Sequence, residues 1–138
     1  MMQVTLQDKV HRLEVEQMAM EQVEVPLINT FGGGIYARTI LIRKGTSLTG
    51  EIHLTEHMNI VNGDIVVSTD EGMKRLIGYH VLVTKPGTKR VGYAMQDTTW
   101  TTLHNTEETD VEKIKAERIA TSLSDPRLAT IKETLWLG

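Results

Sequence analysis

Seven or eight short runs of alternating apolar and polar residues fill the middle of the chain, from Ile35 to about His104. Because successive side chains of a strand point to opposite faces, this period of two indicates strands rather than helices. Residues typical of tight turns separate the runs: Asn62-Gly63, Asp70-Glu71-Gly72, Pro86-Gly87 and Gln96-Asp97. Short strands at this spacing predict a mainly β fold, a sandwich or barrel over residues 35–104, rather than alternating strands and helices.

Both ends of the chain have the residue spacing of amphipathic helices. Apolar residues three to five apart predict a helix over residues 6–20, and Pro26 ends that element. Two more helices are expected over residues 110–136. Thr109 or Asp110 can cap the first of them, and Pro126 suits the first turn of the second. We therefore expect a single domain, residues 1–138, with a β-barrel between one N-terminal and two C-terminal helices.

Composition narrows the classes of partner. The net charge of -3 argues against a general nucleic-acid binder, which would present a basic surface. The absence of cysteine excludes disulfides and thiolate metal sites. No apolar run reaches the about 20 residues that cross a membrane, and the first residues do not have the pattern of a secretory signal. We expect a cytoplasmic protein with no membrane partner.

Three metal-type side chains cluster in the first half of the predicted barrel. Glu51 and His53 are two residues apart and share a face of one strand. A turn at Thr55-Glu56 would return His57 beside them, whereas in one extended strand the two histidines would lie roughly 13 Å apart. His104 joins this group if its strand is a neighbour. Imidazole and carboxylate together bind Zn, Fe, Mn or Ni, so a divalent transition metal is one hypothesis, and a metal-free polar pocket is the other.

The segment His53-Leu54-Thr55-Glu56-His57 also matches the H-x-x-E-H pattern of inverted zinc peptidases. That chemistry needs a helix that places both histidines on one face. Gly50 and the period of two around it argue against a helix here.

A second set of residues suggests an anionic ligand. Tyr36 and Arg38 share a face of one predicted strand, and Arg90 follows the Pro86-Gly87 turn. Arginine favours bidentate contacts with carboxylate or phosphate. We assign Arg38, Arg90, Tyr36 and Trp100 to ligand binding, in a pocket for a sugar phosphate, a nucleotide or a keto acid. The alternative for the basic residues is surface pairing with acidic side chains.

The spacing of these residues resembles the first motif of the cupins, which are small jelly-roll barrels. That motif places two histidines and a glutamate, which bind metal, between two glycines. The same frame here is Gly45, Glu51, His53, His57 and Gly63, with the histidine and glutamate letters changed at two positions. The resemblance implies a cupin-like jelly-roll fold and a metal site at Glu51, His53 and His57.

The second cupin motif is similar to Pro86-Gly87-Thr88-Lys89-Arg90, with Arg90 in the place of the fourth metal ligand. A group of small phage-encoded cupin-like proteins is more similar still, over about residues 25 to 120. The shared phrases include Gly34-Ile35-Tyr36-Ala37-Arg38, Glu56-His57-Met58-Asn59-Ile60 and Trp100-Thr101-Thr102-Leu103-His104. This resemblance implies a phage or prophage origin and carries no known substrate.

Three functional hypotheses follow. The first is a phage-derived protein that binds a small anionic molecule in the barrel, with or without a divalent metal, and either processes or only binds it. The second is metal-free sequestration of a nucleotide-like signal, as a sponge against host defence. The third is a virion or interaction protein, since jelly rolls also build capsids. A homodimer or higher homo-oligomer is expected in each case.

Overall fold

The structure is a computed structural model that describes residues 25–129 and 131. The predicted helix over residues 6–20 lies outside the described residues. Residues 130 and 132–136, at the end of the predicted second C-terminal helix, lie outside them as well. Within the described part the fold is mainly β, as predicted. The elements are β1 (Leu27–Gly32), β2 (Ile35–Ile42), β3 (Ser47–Thr49), β4 (His57–Thr69), β5 (Gly72–Thr84), β6 (Val91–Ala94), β7 (Thr98–Asn105) and α1 (Val111–Arg118).

The strands form one antiparallel sheet that curls into a half-barrel. Its order is β1-β2-β7-β4-β6-β3, and β5 pairs along the whole length of β4. The buried core lies on the concave side of this sheet, where aliphatic residues of several strands meet. Its fully buried members are Ile42, Val61, Ile65, Val67 and Ala94.

Strand β4 changes neighbours halfway along its length. Residues 58–62 pair with β7 and residues 65–67 pair with β6. Gly63 lies at the change, with a backbone φ of 152°. A Cβ atom there would collide with the Thr98 hydroxyl and lie 2.7 Å from the Asp97 carbonyl oxygen. Glycine at this position therefore lets one strand serve both halves of the curled sheet.

One expected turn, one expected break between strands and one strand boundary were wrong. Asn62-Gly63 lies inside β4 rather than in a turn, and Gly78 lies inside β5, so that each pair of predicted short strands is one long strand. The sheet also begins earlier than predicted, because β1 precedes Ile35. A glycine in the sequence does not by itself predict a turn, since glycine also occurs inside a strand where another chain segment approaches closely.

The C-terminal region forms hydrogen bonds with the connection between β3 and β4. Asp110 caps α1 by accepting a hydrogen bond from the Glu112 amide at 3.0 Å. After α1 the chain turns back to residues 52–54: the Leu54 amide donates to the Arg118 carbonyl, and the Ala120 amide donates to the Ile52 carbonyl. Residues 126–129 and 131 are again helical, as the position of Pro126 predicts. No helix of the described residues is long and apolar enough to cross a membrane.

We predict that Gly63→Ala lowers the free energy of unfolding by at least about 2 kcal/mol, because a methyl group has no room beside Thr98 and the backbone would be strained. Gly32→Ala is the matched control. A Cβ atom at Gly32 meets no atom within 4 Å, so its effect should stay within about 0.5 kcal/mol. Urea unfolding measures both variants, and equal stability of the two would contradict this account of β4.

Candidate ligand-binding site

The register of the sheet sorts the concave side chains into rows that run across the strands. Each row takes one inward-facing residue from β2, one from β7 and one from β4. From the polar end to the apolar end, the rows are Tyr36, His104 and His57; Arg38, Thr102 and Asn59; and Ile40, Trp100 and Val61. The concave surface therefore changes from aromatic and imidazole rings, through polar groups, to hydrocarbon.

Three imidazole rings gather at the polar end. The ring centroids of His53 and His57 are 4.0 Å apart, and His104 lies 5.1 Å from His53 and 5.7 Å from His57. His57 and His104 belong to neighbouring strands. His53 reaches them from the β3–β4 connection, where its carbonyl accepts a hydrogen bond from the Gly87 amide and residue Ile119 bridges to it.

The concave side encloses a cavity of about 90 Å³. Strands β2, β4, β6 and β7 and the connections around β3 form its wall. Its polar lining includes Arg38, Glu51, His53, His57, Thr88 and Arg90. Its apolar lining includes Ile40, Ile42, Leu48, Ile65, Val67 and Trp100. The wall thus has the composition typical of small-molecule sites, mostly hydrocarbon with a few convergent polar groups.

The two arginines of the wall differ in their side-chain hydrogen bonds. Arg90 donates from Nη1 to the Ser68 carbonyl at 3.0 Å and from Nη2 to the Thr84 hydroxyl at 3.2 Å. Arg38 makes no side-chain hydrogen bond or salt bridge to another described residue, and its buried Nε has no partner. The buried Nε of Arg90 has no partner either, but Arg90 makes two other hydrogen bonds and Arg38 makes none. Because an unpaired buried donor of a charged group is costly, Arg38 is the arginine of this wall that most needs an acceptor.

A buried asparagine organises the middle of the wall. The Asn59 Oδ1 atom accepts hydrogen bonds from Trp100 Nε1 at 3.0 Å and from the Thr102 hydroxyl at 3.1 Å. Its Nδ2 atom donates to the Thr84 hydroxyl at 2.7 Å, which also accepts from Arg90. This network engages the Trp100 indole N–H and holds the Arg90 guanidinium by its terminal nitrogens, whereas the buried Arg90 Nε has no partner.

Burial keeps the imidazoles neutral. It lowers the pKa of His53 to about 3, and the charges that His57 and His104 would carry lower it further. Burial also lowers the pKa of His104 to about 4, followed by the effects of His57 and Arg118. The pKa of His57 is lowered by burial as well, although its contact with the Thr55 carbonyl acts in the opposite direction. Near neutral pH the positive charge of the wall is therefore that of its arginines.

The arrangement of these rings does not fit the transition metal that the sequence motif suggests. A bound metal needs ring nitrogens that converge in the planes of their rings at about 2.0–2.1 Å. Here the rings of His53 and His104 are stacked with 27° between their planes, and the rings of His53 and His57 are tilted by 36°. Among residues 25–129 and 131, no group of three or more histidine or acidic side chains is placed to hold a metal ion.

The predicted site residues divide into two groups. Glu51, His53, His57, Arg38, Arg90 and Trp100 all line the cavity. His104 and Tyr36 lie behind this wall, only 3% exposed, with their rings stacked on each other at 5.9 Å. The Tyr36 hydroxyl donates to Asn29. Sequence reasoning missed Asn59, Thr84 and Thr102, because only the strand register shows that they meet.

Comparison with known proteins supports the fold and no more. The sequence matches no protein-family profile and no curated protein. Among solved structures it is similar to KdgF from a Halomonas species, at 15% identity and a TM-score of 0.52, over 66% of this chain and 90% of that one. It is also similar to a cupin superfamily protein from Desulfitobacterium hafniense, at 12% identity and a TM-score of 0.50, over 64% and 83% of the two chains.

A third similar structure is a cupin 2 conserved barrel domain protein from Leptotrichia buccalis, at 13% identity and a TM-score of 0.51, over 65% of this chain and 45% of that one. These matches and the curled antiparallel sheet show a cupin-like jelly-roll fold, which confirms the predicted fold class. At these identities the similarity shows the fold alone.

We predict that stability falls as the pH drops from 6.5 toward 5. An unfolded histidine has a pKa near 6.5, so in this window the unfolded chain takes up protons that folded His53 and His104 do not bind. The free energy of unfolding should fall by about 1.4 kcal/mol per pH unit for each histidine that stays neutral. Thermal melts across this window should show a slope that is smaller by about 1.4 kcal/mol per pH unit for His53→Gln, because only the slope due to His104 remains, and the wild-type slope for His80→Gln. A flat wild-type profile would refute the buried neutral cluster.

Proposed function

We propose that this protein binds a small anionic molecule in the barrel cavity and that the anion pairs directly with Arg38. The unpartnered Arg38 guanidinium in the cavity wall is the observation that carries the proposal. A guanidinium presents a planar fork of donors that matches a carboxylate or a phosphate. Neutral imidazoles and the hydroxyls beside it can then donate or accept the remaining hydrogen bonds of the ligand.

This proposal describes a binding protein rather than an enzyme that uses a metal. The close packing of His53, His57 and His104 argues for a rigid wall of the pocket, because their ring centroids lie 4.0, 5.1 and 5.7 Å apart. The competing hypothesis is a divalent Zn, Fe, Mn or Ni ion at these histidines and Glu51, which requires the rings to rotate. The similarity of the sequence to phage-encoded proteins supports a role in infected cells, including sequestration of an anionic signal.

The test compares Arg38→Gln with the control Arg43→Gln, whose side chain is exposed and lies outside the cavity wall. Thermal melts with a panel of carboxylates, keto acids, sugar phosphates and nucleotides should show stabilisation of the wild type and of Arg43→Gln. An anion at 100 times its Kd adds about 2.7 kcal/mol, which is several degrees in Tm for a domain of this size. Arg38→Gln should lose this shift.

Two results would overturn the proposal. The first is a panel in which no anion raises the Tm or gives heat in calorimetry. The second is near-stoichiometric transition metal in untagged protein, found by elemental analysis and lost in His53→Ala, with anion binding that requires the metal. That second result would establish the metal hypothesis instead.

A second candidate function, self-assembly, is supported by the outer face of β5. This 13-residue strand pairs only with β4 among the described strands. Apart from Arg75, which pairs with Asp64, the alternate side chains of one face are apolar and point away from the core, whereas Leu76 and Leu82 on the other face pack against it. The exposed set, each at least 50% exposed, is Met73, Ile77, Tyr79, Val81 and Val83. An apolar row along an unpaired edge strand is typical of surfaces that associate.

If a second copy of the chain covers this row, Val81→Lys should convert a dimer or larger assembly into a monomer, because a charge would be buried at the contact. Sedimentation velocity measures the state of each variant. Phe31→Lys, on β1 at the far end of the sheet, is the matched control and should leave the assembly unchanged. A monomeric wild type would rule out this candidate.

A further inference from the structure

We propose that the ligand is a short-chain monocarboxylate whose hydrocarbon tail lies along the apolar part of the cavity. This inference rests on the proposed function and narrows it from small anions in general to one chemical class. The sequence leaves three ligand types open, which are sugar phosphates, nucleotides and keto acids. The inference excludes the first two and keeps only the carboxylate of the third.

The charge of the cavity wall matches one negative charge. Arg38 has free donors, whereas Arg90 uses both terminal nitrogens on Ser68 and Thr84. Glu51 is the acidic residue of the wall, and its carboxylate opposes a second negative charge on the ligand. A phosphate monoester carries about -1.5 to -2 near neutral pH, so it would enter a site that supplies one available guanidinium. A carboxylate forms the same fork with a single charge.

The backbone of the wall also lacks the usual features of phosphate sites. Such sites are built from the N-terminus of a helix or from consecutive amides in a glycine-rich loop. The cavity wall comes from strands and their connections, and the N-terminal residues of α1, the one complete helix among the described residues, do not line it. The anion must therefore rely on side chains, and Arg38 is the arginine of the wall whose terminal nitrogens donate to no described residue, whereas both terminal nitrogens of Arg90 are engaged.

The space next to Arg38 favours hydrocarbon over a polar ring system. Ile40 follows Arg38 in the next inward row of β2, and Ile42 follows in the row after that. Rows two residues apart are roughly 7 Å from each other, a length that an acyl chain of a few carbons spans. At about 90 Å³ the cavity is far smaller than the about 300–1,000 Å³ of sites for drug-sized ligands.

The apolar part of the wall offers no hydrogen bonds for a nucleobase or a sugar. The indole N–H of Trp100 donates to Asn59, and both Asn59 side-chain atoms are engaged. The other residues there, such as Leu48 and Ile65, have no polar side-chain atoms. A base or a sugar ring would leave its own polar groups unpaired at a cost, whereas an alkyl tail gains from burial.

Calorimetric titration of the full chain with acetate, propionate, butyrate and valerate tests this inference directly. Each added methylene should tighten binding about three- to four-fold, since its burial is worth about 0.8 kcal/mol. Butyramide, which has the same shape as butyrate without the charge, should bind at least ten-fold more weakly. Inorganic phosphate, glucose 6-phosphate and adenosine monophosphate should all bind more weakly than valerate.

Two variants test the carboxylate end and the hydrocarbon end of the ligand separately. Arg38→Gln should weaken every member of the carboxylate series by a similar factor and leave the gain per carbon unchanged. Leu48→Asn should reduce the gain per carbon, whereas Leu27→Asn, a leucine 45% exposed on β1, should not. The wild-type series is itself decisive if Leu48→Asn does not fold.

The outcomes distinguish this inference from the proposed function. Arg38-dependent binding of phosphates or nucleotides that is tighter than that of valerate overturns the monocarboxylate inference and leaves the proposed function standing. Affinities that do not change along the carboxylate series also overturn it, because they show no contact with the tail. Absence of binding by every carboxylate and every phosphate overturns both proposals.

Discussion

The close approach of β4 to Thr98 at Gly63 is the constraint on which the rest of the structure depends. It allows one strand to pair with β7 along its first half and with β6 along its second. The sheet curls because β4 belongs to both halves, and the curl creates the cavity. A residue with a side chain at this point would push β4, which carries both His57 and Ile65, away from β7, which carries Trp100 of the same wall.

Burial removes the charge of histidine but not that of arginine, and this difference sets the chemistry of the cavity. Imidazole loses its charge when it is removed from water, and so His53 and His104 contribute stacked neutral rings. Burial lowers the pKa of the Arg90 guanidinium too, but a guanidinium stays protonated at any ordinary pH. A site built this way keeps a fixed positive charge beside a neutral, rigid wall, which suits recognition of one anion.

Much of the fold was readable in the sequence, because strand periodicity is a local property. The alternation around Arg38 and around Trp100 correctly predicts β2 and β7, and Asp110 and Pro126 correctly predict helix starts. The turns were less certain, because Asn62-Gly63 has the same letters whether the chain reverses there or is only approached by a neighbour. Local sequence does not distinguish these cases, since the difference lies in residues 97 and 98, more than thirty positions away.

The sequence by itself determined the kinds of group available: histidines and arginines spaced for one face of a strand, and enough aliphatic residues for a core. Only the tertiary structure decided how those groups meet. It packed three imidazoles against one another, bound Arg90 to Ser68 and Thr84, and left Arg38 without a hydrogen-bond partner among the described residues. The physical reason is that ring orientation and hydrogen-bond partners depend on the register between strands distant in sequence, and no local pattern encodes that register.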